Sequence, residues 1–450
     1  AAQMSRKRGR IILIGVIGLN ISRAEFYEKE LSFQVSCSYG PGRYDENYEQ
    51  QGQDYPLPFV RWTEKRNFET ILQAISTGKL EVKSLITEKV PMADYKSIYD
   101  NISNKGSIAS LLVYPEESDN SSVIAGASSA FKNIKGGMGI IGAGNFTAMT
   151  MLPALKKVKA PLVSIASARG VSGTSLAQKY SIAKSATDYK QVISDPDVAM
   201  VFITTRHNLH AQMVVESLQN RKNVFVEKPL ALNNDELNEI INAYDGSVTL
   251  TVGFHRKFSP HIQKMKQLLG TAPMNVIATM NAGNIPPNVW VHDMKTGGGR
   301  IIGEACHFID LIGFLTGSKV QSVCMNAMGK NPAENTDNAS ILLKYDNGST
   351  GVVNYFSNGS KAYSKERVEV YSQDRTLIMD NYRVTTGYGF KGFSKLKTKL
   401  DKGHNQQFDL LTKSIVNGGP SLIPFDELVN TTKASFAAIE SLKERRWVDL

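Results

Sequence analysis

Cysteine is scarce in this chain of 450 residues: there are three, at positions 37, 306 and 324. They are odd in number and far apart, with no CxxC pair and no Cys/His cluster at zinc-ligand spacing. That argues against a disulfide framework and a structural metal, and it points to a reducing, cytoplasmic location. Long apolar runs are lacking too, none approaching the ~20 residues of a membrane-spanning helix. Repeats and low-complexity tracts are missing, and 42% hydrophobic with 21% charged residues is the composition of a folded globular chain. No sign of charge dominates: 52 Lys and Arg against 42 Asp and Glu leave +10. So mild a surplus suits anionic small molecules, whereas a nucleic-acid-binding protein would concentrate it. Only Arg6-Lys7-Arg8-Gly9-Arg10 is dense. Followed by the apolar Ile11–Leu19 and Ser22-Arg23-Ala24 it imitates a secretion signal, but the β-branched Gly9–Gly15 stretch reads as a buried parallel strand.

The length allows about three domains at ~150 residues each. Residues 1–115 alternate apolar strands (Ile11–Ile14, Ser32–Ser38, Val82–Ile86, Ile108–Val113) with helical spacing at Asn67–Ser76 and Ala93–Ile102. Tyr39–Tyr55, rich in Gly, Asn, Gln and Tyr, reads as a loop, and 116–135 has linker composition. From 136 to 255 strands and helices alternate strictly, the signature of a doubly wound parallel sheet. Strand patterns then recur at Asn275–Met280, Ser322–Met325, Ala339–Tyr345, Thr350–Phe356 and Glu366–Tyr371, joined by turns such as Asp346-Asn347-Gly348. The α/β Rossmann domain is therefore followed by an α+β domain, 256–450, with a large, mostly antiparallel open sheet. An amphipathic helix over Asp426–Glu444 ends it.

The sharpest local signal is GGMGIIGAGNFTAMTMLPAL. A strand ends at Ile141, turns through Gly142-Ala143-Gly144-Asn145-Phe146 and opens a helix at about Thr147. Gly142 permits the tight turn, and Gly144 lets a pyrophosphate approach the backbone and the helix N-terminus. Thr147 stands where a third small residue belongs, so helix and strand are expected to sit slightly further apart. The next strand, Leu162–Ala166, runs into Ser167-Ala168-Arg169, and no acidic residue occurs between Phe146 and Asp188. A carboxylate for the adenosine ribose is thus missing, and Ser167 with Arg169 suits a 2′-phosphate, favouring NADP(H) over NAD(H).

Further motifs are FITTRHNLHAQM, FVEKPLAL, VGFHRKFSP and NVWVHDMKTGGGRIIGEACHFIDL. With the glycine turn, Glu227-Lys228-Pro229 and the Gly297-Gly298-Gly299 run followed by His307 make residues 137–445 resemble the family named for glucose–fructose oxidoreductase, inositol dehydrogenase and rhizopine catabolism. The resemblance implies an NAD(P)-dependent oxidoreductase acting on a sugar, sugar nucleotide or cyclitol, assembled as a homodimer or homotetramer. It implies Lys228 and His307 as the catalytic pair, which suits alcohol oxidation, since the hydroxyl proton needs an acceptor and the oxygen a polarising cation. Thr204, Thr205, His210, Glu227, Lys228 and Pro229 join the cofactor set. Arg206, Arg256, Trp290, His292, Arg300, Glu304 and His307 are the candidate substrate contacts. Two departures stand out: Gly303 where the family often has Asp, with Glu304 beside it, and Thr205-Arg206-His207 where members usually read Thr-Pro-Asn. Arg206 and the basic balance favour an anionic substrate. No metal, nucleic-acid or membrane partner is expected.

Residues 1–115 resemble something else, the C-terminal part of a medium-chain, zinc-type alcohol dehydrogenase, on RKRGRIILIGVIGLN, YEKELSFQVSCSYGPGRYDENY and RNFETILQAISTGKLEVKSLITEKVP. The front portion that this implies, with its own glycine turn and zinc ligands, has no counterpart before Arg6. Two further activities fit the same motifs: a redox-assisted glycosidase, which oxidises a ring carbon transiently and re-reduces it, and a non-catalytic sensor of dinucleotide and sugar.

Overall fold

The computed structural model describes residues 1–100, 106–116, 122–125 and 136–450, and the chain separates into two compact units, 1–119 and 120–450. The first holds two parallel strand pairs, β1 (Arg10–Leu13) with β2 (Ser32–Val35) and β3 (Ile86–Pro91) with β4 (Ala109–Val113). The apolar run after Arg10 is thus a parallel strand only as far as Leu13, and it is not buried as expected: its side chains alternate between exposed and half-buried, and Ile14, Val16, Ile17 and Leu19 beyond it are exposed. Val82–Ile86 is not a strand: Lys83–Leu85 is a 3₁₀ turn, because the Glu81 carboxylate takes the backbone N–H groups of Lys83 and Ser84, and extended structure starts at Ile86. The expected loop Tyr39–Tyr55 contains a helical turn, Glu46–Glu49, capped by Asp45. The expected helix Ala93–Ile102 forms as Met92–Asp94 and Lys96–Asp100, its last two residues lying outside the described ones. The helix Glu64–Ser76 buries none of its residues. Phe68, Ile71, Leu72 and Ile75 on it are exposed, as are Ile14, Val16 and Phe59 elsewhere in the unit.

The second unit carries the cofactor-type sheet, with strands β5 (Val123–Ala125), β6 (Met138–Ile141), β7 (Leu162–Ala166), β8 (Lys184–Ala186), β9 (Met200–Ile203), β10 (Asn223–Val226) and β11 (Leu250–Val252). Their order is β11-β10-β9-β6-β7-β8-β5, parallel except for β5, which runs antiparallel to β8. The stretch 116–135 therefore contributes an edge strand instead of serving only as a linker; 117–121 and 126–135 lie outside the described residues. Strand side chains alternate between two cores. Ile140, Phe202 and Phe225 pack on one face with Leu152 and Leu155, while Ile141, Val201, Ile203 and Val226 pack on the other with Val214, Leu237 and Ile240. The helix His404–Asn417, late in the chain, also closes the first face, through Phe408 and Leu411.

A nine-stranded sheet follows, made of β12 (Asn275–Asn281), β13 (Val320–Ala327), β14 (Asn338–Tyr345), β15 (Thr350–Phe356), β16 (Glu366–Ser372), β17 (Arg375–Asp380), β18 (Val384–Tyr388), β19 (Lys395–Lys397) and β20 (Val448–Asp449). In the order β19-β18-β17-β16-β12-β15-β14-β13-β20 every pair is antiparallel except β12 with β15. One face packs on the helices Pro260–Leu268, Cys306–Thr316 and Phe425–Glu444. The other leaves Ile277, Val352 and Ile378 half-buried and Leu342 and Tyr371 exposed.

Candidate active site

Strand order reverses between β6 and β9, and the crevice outside the carboxyl ends of such strands is where open α/β sheets bind ligands. Here that crevice is a cavity of about 730 Å³. The glycine turn lines one side of it, and the wall opposite comes from the loops after β10 and β11 and from the helix carrying His307. Gly142 has φ +108°, and a Cβ on it would stand 2.8 Å from the Thr204 carbonyl, so only glycine suits the position. A Cβ on Gly144 would meet nothing within 4 Å. The backbone there faces open cavity beside a helix start, and this cradle fits a dinucleotide diphosphate. Thr147 is part of the turn's hydrogen bonding. Fully buried, it donates its hydroxyl to the Gly142 carbonyl (3.0 Å), lies 2.7 Å from the Thr204 hydroxyl, and starts a π-helical turn, Thr147–Met151.

Ser167 and Arg169 do not line the cavity. The Ser167 hydroxyl accepts the Gly173 N–H at 3.0 Å, across the next helix start, and Arg169 is exposed. His210 is wholly buried; its Nδ1–H donates to the Pro229 carbonyl (2.8 Å) and its Nε2 lies 3.3 Å from the Thr205 carbonyl, tying the loop after β9 to the one after β10. Lys228 Nζ donates to the carbonyl of Gly303 at 2.9 Å. That carbonyl belongs to a second π-helical turn, Ile301–Ala305, which leads into Cys306–Thr316 and so to His307. His307 is 5% exposed with its Nδ1 unpartnered. Burial first, then the cations of Arg256 and Lys228, hold it well below the ordinary imidazole value, so it is a neutral ring facing the cavity.

Glu304 lines the cavity, takes Arg300 at 2.8 Å and accepts the Tyr355 hydroxyl. Burial alone would raise its carboxyl, but Lys228 and Arg300 outweigh it and bring it down to about 2. Of the other expected substrate contacts, Trp290 and Arg206 stand on the wall, the Arg206 guanidinium 5.7 Å from the indole ring. Arg300 and His292 stand behind it. Arg300 is committed to Glu304 and Tyr355, and the His292 imidazole lies 3.3 Å from the Ile285 carbonyl. Arg256 reaches the cavity but is gripped at two points by the wholly buried Glu366, at 2.8 and 3.1 Å.

Several lining residues had not been picked out from the sequence. His255 donates to Glu227 (2.9 Å) and stacks 4.1 Å from His404, and Lys402 reaches Glu366 at 2.5 Å. His255 follows the end of β11 much as Lys228 follows β10, a position that could have flagged it. His404 and Lys402 lie some 150 residues from that strand, and no local signal connects them. Among the described residues no group of three or more His, Cys, Asp or Glu side chains could hold a metal ion, and no helix is long and apolar enough to cross a membrane.

Comparison with known proteins gives the family and the fold. The family model described as oxidoreductase family, NAD-binding Rossmann fold, matches residues 137–254, and the C-terminal domain model of the same family matches 268–378. An uncharacterized oxidoreductase of Bacillus subtilis, YrbE, is 30% identical over 259 residues, 55% of this chain and 74% of the relative. Myo-inositol 2-dehydrogenase of Thermotoga maritima is 25% identical over 61% of this chain and 86% of its own length. Among solved structures, an oxidoreductase domain protein from Kribbella flavida superposes with a TM-score of 0.63 at 21% identity, covering 70% of this chain and 99% of that one. A levoglucosan dehydrogenase in complex with NADH and levoglucosan gives 0.62 at 20% identity, covering 70% and 99%.

Proposed function

Because the chain belongs to the family of NAD-binding oxidoreductases that includes the inositol dehydrogenases, we propose that it oxidises a secondary alcohol on a sugar, sugar nucleotide or cyclitol ring to the ketone, or reduces that ketone back to the alcohol. The observation that carries this reading is the meeting of Lys228 with the His307-bearing helix beside the Gly144 cradle. Gly142, Gly144, Asn145 and Phe146 would hold the diphosphate, with Thr204, Thr205 and Glu227 along the rest of NAD(H). When bound, the nicotinamide supplies the hydride acceptor or donor. Lys228 polarises the substrate oxygen, its ammonium held in place by the Gly303 carbonyl. His307, neutral and oriented into the cavity, takes or returns the hydroxyl proton.

Finer points follow from the same residues. With no carboxylate after β7 and with an exposed Arg169, the adenosine end accepts NADP(H) as well as NAD(H), and better. Arg206, with no ion pair to another side chain among the described residues, favours substrates carrying a carboxylate or phosphate. The half-covered outer face of the nine-stranded sheet suits pairing with a second copy, and three free cysteines suit the cytoplasm. The parallel strand pairs and uncovered apolar side chains of 1–115 support the reading of that unit as the back of a medium-chain dehydrogenase module.

Parallel fluorescence titrations with NADH and NADPH test the reading, followed by rates of NAD(P)⁺ reduction with myo-inositol, levoglucosan and D-glucuronate. Saturable binding with turnover of a polyol is expected, NADPH binding the tighter. A protein that binds neither nucleotide would not be an oxidoreductase of this kind.

A further inference from the structure

Gly303 and His207 come from distant parts of the chain and meet at the cavity. A Cβ built on Gly303 would lie 3.1 Å from His207 Cε1, 3.3 Å from its Nδ1 and 3.1 Å from the Gly297 carbonyl oxygen. The last two atoms are the two ends of one hydrogen bond, since His207 Nδ1 lies 2.7 Å from that oxygen. A side chain at 303 would therefore press on both partners at once. A carbonyl oxygen only accepts, so the proton sits on Nδ1, and Nε2 carries a bare lone pair. Nε2 has no hydrogen-bond partner among the described residues, and the ring lines the cavity together with Lys228 and Glu304. Trp290 meets it edge-on, ring centres 4.9 Å apart, and limits its rotation.

We propose that His207 is the hydroxyl-accepting group of the substrate pocket, and that position 303 lacks a side chain in order to admit its ring. The inference deepens the oxidoreductase reading above and rests on it. Most polar groups around it are donors or already engaged: Lys228 and Arg206 only donate, and Glu304 is taken up by Arg300 and Tyr355. A polyol brings several O–H groups, and each needs an acceptor once water is excluded. His207 supplies one at fixed geometry. Burial, with the Lys228 ammonium nearby, brings it down to about 3, so the ring is an acceptor throughout the neutral range. It is a specificity residue, distinct from His307.

Initial rates with myo-inositol, levoglucosan and D-glucuronate, on protein whose NADH binding has been verified, provide the test. In His207→Leu the ring's bulk is largely kept and the acceptor lost, so KM rises about 10-fold or more, as leaving a buried hydroxyl unpaired requires, while kcat is largely kept. His207→Gln recovers part of the loss. Gly303→Ala raises KM in the same sense, and the Gly303→Ala/His207→Leu pair is no worse than His207→Leu alone. An unchanged KM in His207→Leu, or a fall in kcat without a change in KM, would overturn the proposal. If wild type binds NADH but turns over none of the three compounds, the oxidoreductase reading fails and this one with it. A ¹⁵N NMR spectrum of the histidines decides independently of turnover: His207 is expected with Nδ1 protonated and Nε2 bare across neutral pH, and the opposite tautomer overturns the assignment.

Discussion

The side-chain nitrogen of Lys228 and the main-chain oxygen of Gly303 meet at 2.9 Å, joining the loop after β10 to the turn that leads into the helix carrying His307. The bond fixes the ammonium without neutralising it, because a carbonyl carries only a partial charge. That arrangement suits the role proposed for Lys228, polarising a substrate oxygen.

Removing that charge tests its role. Lys228→Met is expected to lower turnover by about 10²-fold or more while NADH binding stays within a few-fold of wild type. Unchanged turnover would take the lysine out of the chemistry.

Gly142 carries a steric prediction. With φ at +108° and the Thr204 carbonyl 2.8 Å from any added Cβ, Gly142→Ala costs about 1–3 kcal/mol of stability and weakens NADH binding. Gly144→Ala meets open space, so its melting temperature stays near wild type while nucleotide affinity falls. A pair of melting curves with NADH titrations separates the two glycines.

The Arg256–Glu366 pair makes stability depend on pH. Burial alone would raise the Glu366 carboxyl, yet Arg256 and Lys402 bring it from 4.5 down to about 2. Its ionised form therefore favours the folded state. The contribution is whole above about pH 4.5, declines as the pH falls, and is gone below about 2. Glu366→Gln, which leaves the guanidinium buried beside a neutral amide, is expected to cost about 3–5 kcal/mol at neutral pH and to flatten the acid limb of the stability curve. Urea melts at several pH values measure both effects.

Arg206 separates substrates by charge. Arg206→Ala should raise KM about 10-fold or more for D-glucuronate and leave it little changed for myo-inositol. Equal effects on both would mean that the residue acts through Trp290 packing.

How far the sequence could be read follows from the range of each signal. The glycine turn and its flanking strand–helix alternation were legible because every residue involved lies within about thirty positions, the span of one strand–helix–strand unit. The open second sheet was legible for a similar reason: each strand carries its own period-two pattern. Lys228 and His307 needed a family resemblance to be picked out, since nothing local distinguishes a functional lysine from a surface one. The 3₁₀ turn at Lys83–Leu85 was missed because a single side chain, Glu81, captures two backbone donors. Hydrophobic pattern is blind to that competition. The engagement of Arg300 by Glu304 and Tyr355, and the contact of Gly303 with His207, are matters of tertiary packing that no window of sequence contains. Even there a trace was visible: Gly303 and His207 are among the positions where the sequence departs from the pattern that its family resemblance leads one to expect.

The strand Val123–Ala125 has a practical consequence. It runs antiparallel along β8, covering what would otherwise be an open row of backbone donors and acceptors at the end of a parallel sheet. A chain shortened to begin at Gly136, the natural choice if 116–135 were only a tether, would bare that row and invite a neighbouring molecule to pair with it. Self-association after such trimming would report the loss of a three-residue selvedge and would say nothing about the substrate half of the molecule.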